Sequence, residues 1–143
     1  MADLEFSGCK LAVFIEDKVL TYLRDDKPDI PFPNQWDLPG GGREGRESPE
    51  ECVLRELFEE FSITLHACDL SEKYSYPSKV SNLNCFFFTT ELTLETLTKI
   101  KFGDEGQYWT TMPVGEFIEH PDGITELQQA ICRSKLAKRL LGT

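Results

Sequence analysis

The sequence predicts a mixed α+β sandwich, a sheet with helices packed on it, and three observations predict it. Apolar segments of strand composition stand both before and after one strongly marked helix. That helix carries its apolar residues at spacings of three and four, and the chain closes on a second helical stripe. With 143 residues and ten Phe, there is room for one domain, 1–143, around a sizeable apolar core.

In chain order, residues 10–15 and 19–24 read as a hairpin turning at Glu16, Asp17 and Lys18. Residues 25–35 hold Pro28, Pro31 and Pro33 among acids and amides, and read as a long ordered loop. After Trp36-Asp37-Leu38-Pro39 come three glycines, then a charged turn, then a helix over 48–61. Ser48 caps it, Glu51 reaches back, and Pro49 takes the first helical position, where its missing N–H costs nothing. Val53, Leu54, Leu57, Phe58 and Phe61 form its expected buried face. Strands are expected over 63–67, 84–92 and 108–111. A closing helix is expected over 124–141, with Leu127, Ile131, Ser134 and Ala137 on one stripe. Arg133, Lys135, Lys138 and Arg139 stand near its end, where positive charge suits the helix dipole.

Charge excludes some functions. Fifteen Lys and Arg against 25 Asp and Glu leave a net −10, which does not suit coating a nucleic-acid backbone. The same charge repels a phosphorylated small molecule unless a metal ion or an Arg cluster intervenes. No apolar run approaches the ~20 residues that span a bilayer, and residues 1–10 lack the pattern of a secretory leader. Cys9, Cys52, Cys68, Cys85 and Cys132 show no paired spacing, which argues against a disulfide scaffold or zinc site and fits a reducing cytoplasm. Cys52 and Cys85 fall in apolar patterns and read as small core residues. His66 and His120 are isolated and read as structural or surface residues.

The helix over 48–61 has an unusual second face. Glu56, Glu59 and Glu60 stand at i, i+3 and i+4, a spacing at which like charges destabilise an isolated helix by a few tenths of a kcal/mol per pair. Arg55 is the one base among them and, one residue from Glu56, is expected to point elsewhere. Alone, the three are a solvated acidic face. Beside a glycine run that lets backbone approach closely, they become a hard-oxygen site suited to Mg²⁺ or Mn²⁺. Such an ion would polarise a phosphoryl oxygen and activate water against a phosphoanhydride.

Residues 41–63, Gly-Gly-Arg-Glu-Gly-Arg-Glu-Ser-Pro-Glu-Glu-Cys-Val-Leu-Arg-Glu-Leu-Phe-Glu-Glu-Phe-Ser-Ile, resemble the box of the Nudix hydrolases, G-x5-E-x7-R-E-U-x-E-E-x-G-U with U bulky and apolar. Gly41, Glu47, Arg55, Glu56, Leu57, Glu59, Glu60 and Ile63 match at the required spacing, and the Trp36 to Gly41 lead-in is also similar. Ser62 stands where the family has glycine, at a helix exit where a left-handed residue is usual, at a cost of ~1 kcal/mol.

The resemblance implies a Nudix-type α/β/α sandwich, with a mixed sheet between helices, over essentially the whole chain. It implies that Glu56, Glu59 and Glu60 hold divalent metal with the Gly40 carbonyl, that Gly41 lies at the substrate, and that Arg55 pairs with Glu47. Glu44 is either a ligand or a solvated charge. Glu105, ahead of Trp109, is either a further ligand or general base, or a plain loop glutamate; Glu56 and Glu105 both remain candidates for the base. Arg24 either faces phosphate or simply ends its strand. Trp36 either stacks on a base or belongs to the core or a lid.

The implied reaction is hydrolysis of a nucleoside diphosphate linked to another group. A (deoxy)nucleoside triphosphate, cleaved to monophosphate and pyrophosphate, is the first expectation because the chain is short. ADP-ribose or a nucleotide sugar is the second, since Pro77, some fourteen residues past the box, resembles a feature of that subgroup. A nucleotide-binding sensor whose catalysis has lapsed is the alternative from another class, disfavoured because all three carboxylates are present. A homodimer is expected from the resemblance only, and neither nucleic-acid polymer nor membrane is an expected partner.

Overall fold

The computed structural model describes residues 5–142. The reading of residues 1–10 as lacking a leader therefore falls partly on residues outside those described. Among the described residues, no helix is long and apolar enough to cross a membrane.

Everything is organised around β1 (Phe6–Ile15). Along one edge it pairs in parallel with β6 (Asn84–Leu92), from Phe6 opposite Asn84 to Ile15 opposite Leu92. Its other edge is shared. Gly8, Cys9 and Lys10 pair antiparallel with β4 (Gly40–Gly42), and Phe14 and Ile15 pair with β2 (Lys18–Leu23). Leu11 N–H bridges the gap by donating to the Pro39 carbonyl at 2.8 Å. The mixed sheet is completed by β3 (Trp36–Asp37) and β7 (Tyr108–Pro113) on β2, and by β5 (Glu72–Pro77) on β6.

Strand side chains alternate between faces, so a sheet covered on both sides reads as a continuous apolar run. Leu11, Val13 and Ile15 face α1 (Pro49–Phe61) with Leu20 and Phe88. Ala12 and Phe14 face the other way with Val19 and Phe87, against α2 (Val114–Glu119), α3 (Thr125–Arg133) and α4 (Lys135–Leu140). The result is the three-layer α/β/α arrangement expected from the sequence. Leu57 and Phe61 are fully buried beneath α1, and burial of such side chains stabilises by about 2 kcal/mol each.

Four expectations are corrected. Residues 63–67 form no strand: Ser62 turns the chain out of α1, and the segment leads into a single 3₁₀ turn, Ala67–Asp69, with no sheet partner among the described residues. Phe58 is 57% exposed because it stands about 100° around the axis from Leu57, off the buried stripe. The closing helix is two helices. Ser134 breaks it, its hydroxyl donating to Glu72 and accepting from the Ala137 amide to start α4. Cys85 is only half-buried, its Sγ lying 3.3 Å from Ser7 Oγ, whereas Cys52 is fully buried. All five cysteines are free.

Glu72 joins β5 to that helix break. Its carboxylate accepts from Ser134 Oγ (2.6 Å), Tyr74 OH (2.6 Å), Thr89 Oγ1 (2.7 Å) and the Lys135 amide (2.9 Å). Burial pushes the carboxyl up, but these donors outweigh it and hold its pKa at about 2 against an ordinary 4.5. With the folded value lower, the contribution is complete above pH 4.5 and is lost as pH falls towards 2. Glu72→Gln is expected to remove about 2 kcal/mol at pH 7 and to flatten the acid limb of stability, read by urea melts from pH 7 to 3.

Candidate active site

The acidic face of α1 is set by how its helix starts and stops. Ser48 Oγ accepts from the Glu51 amide at 3.1 Å while Glu51 Oε1 accepts from the Ser48 amide at 2.8 Å, closing the predicted capping box. At the far end Ser62 adopts φ 59°, the left-handed conformation that glycine takes without strain. Between these ends, the β4 glycines lie directly against the carboxylates. A Cβ on Gly41 would stand 2.7 Å from the Glu56 carboxylate, so only glycine allows this approach. Gly40, at φ 136°, turns its amide onto Glu60 Oε1 at 2.8 Å.

Arg55 does not point elsewhere. It is the hub of the acidic face, because its long side chain curls back over the helix start. Nε and Nη2 hold Glu47 at 2.7 and 3.1 Å, Nη2 also donates to the Gly42 carbonyl at 2.8 Å, and Nη1 reaches Glu56 at 3.0 Å and Glu59 at 2.9 Å. Exposed Glu44 joins at 3.2 Å. These hydrogen bonds from Arg55 hold the Glu47 carboxyl below its ordinary range. Burial instead raises Glu56, against the pull of Arg55, and pushes Glu60 up to about 8. Glu59 stays 53% exposed at the rim.

Among the described residues, no three His, Cys, Asp or Glu side chains are already gathered as a metal cage. The donor chemistry nevertheless fits a hard divalent ion. Glu56 and Glu59 share Arg55, Glu60 accepts from the Gly40 amide, burial raises the proton affinity of Glu56 and Glu60, and a peptide edge without a side chain faces Glu56. Gly41→Ala should displace the Glu56 carboxylate without straining the backbone, since only Gly40 of this pair has positive φ. We expect a 10–100-fold loss of turnover with about 1 kcal/mol or less of stability, measured by kinetics and thermal melting on one preparation.

Lys10, Asp37 and Tyr22 form no motif in the sequence, yet the fold brings them together. Asp37 Oδ2, almost fully buried, accepts from Lys10 Nζ (2.8 Å), Arg24 Nη1 (2.9 Å) and Tyr22 OH (3.0 Å). Lys10 Nζ also reaches the carbonyls of Leu38 and Gly40, both at 3.3 Å, and so ties the glycine strand down. A charged residue between Cys9 and Leu11, in a strand apolar on both faces, was the available signal. Arg24 does end its strand, with its Nε on the Pro31 carbonyl at 2.9 Å.

A cavity of about 210 Å³ opens beside this network. Gly41, Gly42, Lys10, Arg24 and Asp37 form one side of it, and Phe32, Tyr76, Ile124 and Leu127 supply apolar wall. Glu105 is exposed and lines a different depression of about 260 Å³ with Tyr22, Arg24 and Lys27. It follows Gly103, whose amide donates to the Glu60 carbonyl at the end of α1. Trp36 packs on the core, edge-on to Tyr108 and His120. His66 is exposed, and His120 Nδ1 accepts from the Asp122 amide.

Comparison with known proteins identifies the fold and the family. The chain is 38% identical over 66 residues to an 8-oxo-dGTP diphosphatase of Proteus vulgaris, a match that takes in 45% of this chain and spans 58% of that relative. The fold is shared with a Caenorhabditis elegans Ap4A hydrolase (TM-score 0.72, 17% identity, 95% of this chain and 99% of that one). It is shared too with a bifunctional NMN adenylyltransferase/ADP ribose pyrophosphatase of Francisella tularensis (TM-score 0.71, 21% identity, 94% of this chain and 42% of that one). The family model described as the NUDIX domain matches residues 11–131, from the middle of β1 to α3 and so across the glycine strand, Arg55 and the glutamates, and the chain belongs to the Nudix family.

Proposed function

We propose that this chain hydrolyses the phosphoanhydride of a nucleoside diphosphate linked to a further group, with a (deoxy)nucleoside triphosphate, unmodified or oxidised, as first substrate and with monophosphate and pyrophosphate as products. One observation carries the reading. Gly41 belongs both to the cavity wall and to the contact with Glu56, so a nucleoside in the cavity puts its phosphates at the acidic face. The name of the Proteus vulgaris relative supports this substrate.

Mg²⁺ or Mn²⁺ would be held by Glu56, Glu59, Glu60 and the Gly40 carbonyl, while Glu105, exposed in a different depression, is left out of this ligand set. When bound, such an ion draws charge from the phosphoryl oxygens and acidifies water. The chain's own groups do the rest. Arg24, anchored on Asp37 and Pro31, presents a fixed positive charge at the cavity wall. Water adds to phosphorus, the bridging P–O bond breaks, and its electron pair leaves with pyrophosphate. Glu56 takes the water's proton, because burial raises its proton affinity and it abuts Gly41, whereas Glu105 lines another depression. A homodimer belongs to this reading, and sedimentation velocity reads it directly.

ADP-ribose is the second reading. One observation favours it: Pro77 lines an adjoining cavity of about 420 Å³, where a second sugar would have space. Purified protein with Mg²⁺ is to be screened against nucleoside triphosphates, 8-oxo-dGTP and ADP-ribose with product identification. Monophosphate and pyrophosphate from a triphosphate support the first reading. Faster release of AMP from ADP-ribose moves the assignment to the second, and binding of every nucleotide without turnover overturns both in favour of a sensor.

A further inference from the structure

The cavity beside the glycine strand holds a carboxylate that the mechanism does not use. Glu126 lies in the first turn of α3 with its side chain only 12% exposed. No hydrogen bond within the fold reaches it among the described residues; its partner is Lys79 Nζ, 3.4 Å from Oε1, on a lysine that is 65% exposed. No fully buried side-chain oxygen in the described residues lacks a partner, so the unbonded Glu126 oxygens border accessible space. Both residues line the nucleoside cavity, and both also line the adjoining cavity with Pro77 and Arg133, which the glycine strand does not reach. They therefore stand on the side away from the phosphate end. A first-turn acid gains from the helix dipole wherever it points, but that gain is equally available in solvent and does not account for burial here.

A carboxylate in a largely apolar cavity needs N–H donors from its ligand, because leaving it unpaired on binding is costly. Nucleobase edges differ in what they offer. Thymine and uracil present one N–H between two carbonyls, cytosine and adenine one amino group beside an acceptor. Guanine presents two adjacent donors, N2–H₂ and N1–H, followed by the O6 acceptor. A carboxylate with an ammonium beside it offers acceptor, acceptor, donor, the complement of that edge. Oxidation at C8 lies on the other ring and leaves the edge intact.

Resting on the hydrolase reading above, we infer that Glu126 and Lys79 read the base, and that the nucleotide this cavity takes is of guanine type, oxidised or not. Glu126 accepts from N1–H and N2–H₂ while Lys79 donates to O6. Arg24, Lys10 and Asp37, at the other end, leave base choice to this pair.

Inosine nucleotides, which lack only the 2-amino group, provide the test. The kcat/KM ratio of dGTP to dITP is to be measured for the wild-type protein, Glu126→Gln and Lys79→Met, with thermal melts as the check on folding. We expect a ratio of at least about tenfold in the wild type that falls near one in Glu126→Gln. We expect Lys79→Met to weaken both purine substrates against dTTP. A wild-type ratio near one, or a ratio that survives in Glu126→Gln, overturns the inference and leaves the hydrolase reading standing. If the wild type turns over no triphosphate, that reading fails, and calorimetric binding of GMP against IMP decides base recognition. A GMP preference abolished in Glu126→Gln upholds it; equal binding overturns it.

Discussion

Glu59→Gln is expected to lower turnover about 10³-fold, roughly 4 kcal/mol of barrier, with almost no change in melting temperature. Glu59 is half-exposed, and its fold contact is an i, i+4 ion pair with Arg55, a kind worth only ~0.3–0.5 kcal/mol. Amide for carboxylate keeps the shape and removes the charge, so a loss of this size belongs to catalysis. Steady-state kinetics and a melt on the same preparation check both halves.

Arg55→Ala is expected to act on both stability and turnover. It withdraws the guanidinium that Glu44, Glu47, Glu56 and Glu59 share and frees the Gly42 carbonyl. Hydrogen bonds to charged partners of this kind are worth ~2 kcal/mol, and the carboxylates then repel one another. We expect a loss of about 3 kcal/mol, or ~10 °C in melting temperature. Millimolar Mg²⁺ should recover several degrees of that loss, since a divalent ion supplies the missing charge. Recovery with Mg²⁺ but not with matched Na⁺ would separate site binding from salt screening.

The legible parts of the molecule were those set by local chemistry. Capping by Ser48 and Glu51 and the hairpin turn after Ile15 follow from short-range pattern, and both are found. The glycine run beside three glutamates points to the glycine approach, and the resemblance over Gly41 to Ile63 implies the Glu47–Arg55 pair; both are found. What stayed hidden depends on partners distant in the chain. The helix break at Ser134 is stabilised by Glu72, sixty-two residues away, and nothing near Ser134 announces it. Residues 63–67 have strand composition but no neighbouring edge, and composition alone cannot supply one. Phe58 follows the three-and-four spacing yet lies at the margin of the stripe, where a few tens of degrees separate core from solvent. Adjacency of Arg55 and Glu56 on the helix predicts diverging directions, but a side chain of arginine's length reaches across them.

Binding of Mn²⁺, followed by loss of the free-ion signal in electron paramagnetic resonance without nucleotide, tests the central claim most directly: that three helix carboxylates beside a side-chain-free peptide edge gather a divalent cation. The account predicts saturable uptake by the wild-type protein, competed by Mg²⁺ and abolished in a Glu59→Gln/Glu60→Gln double variant that still melts cooperatively. Uptake unchanged in that variant, or none in the wild type up to millimolar ion, would contradict it.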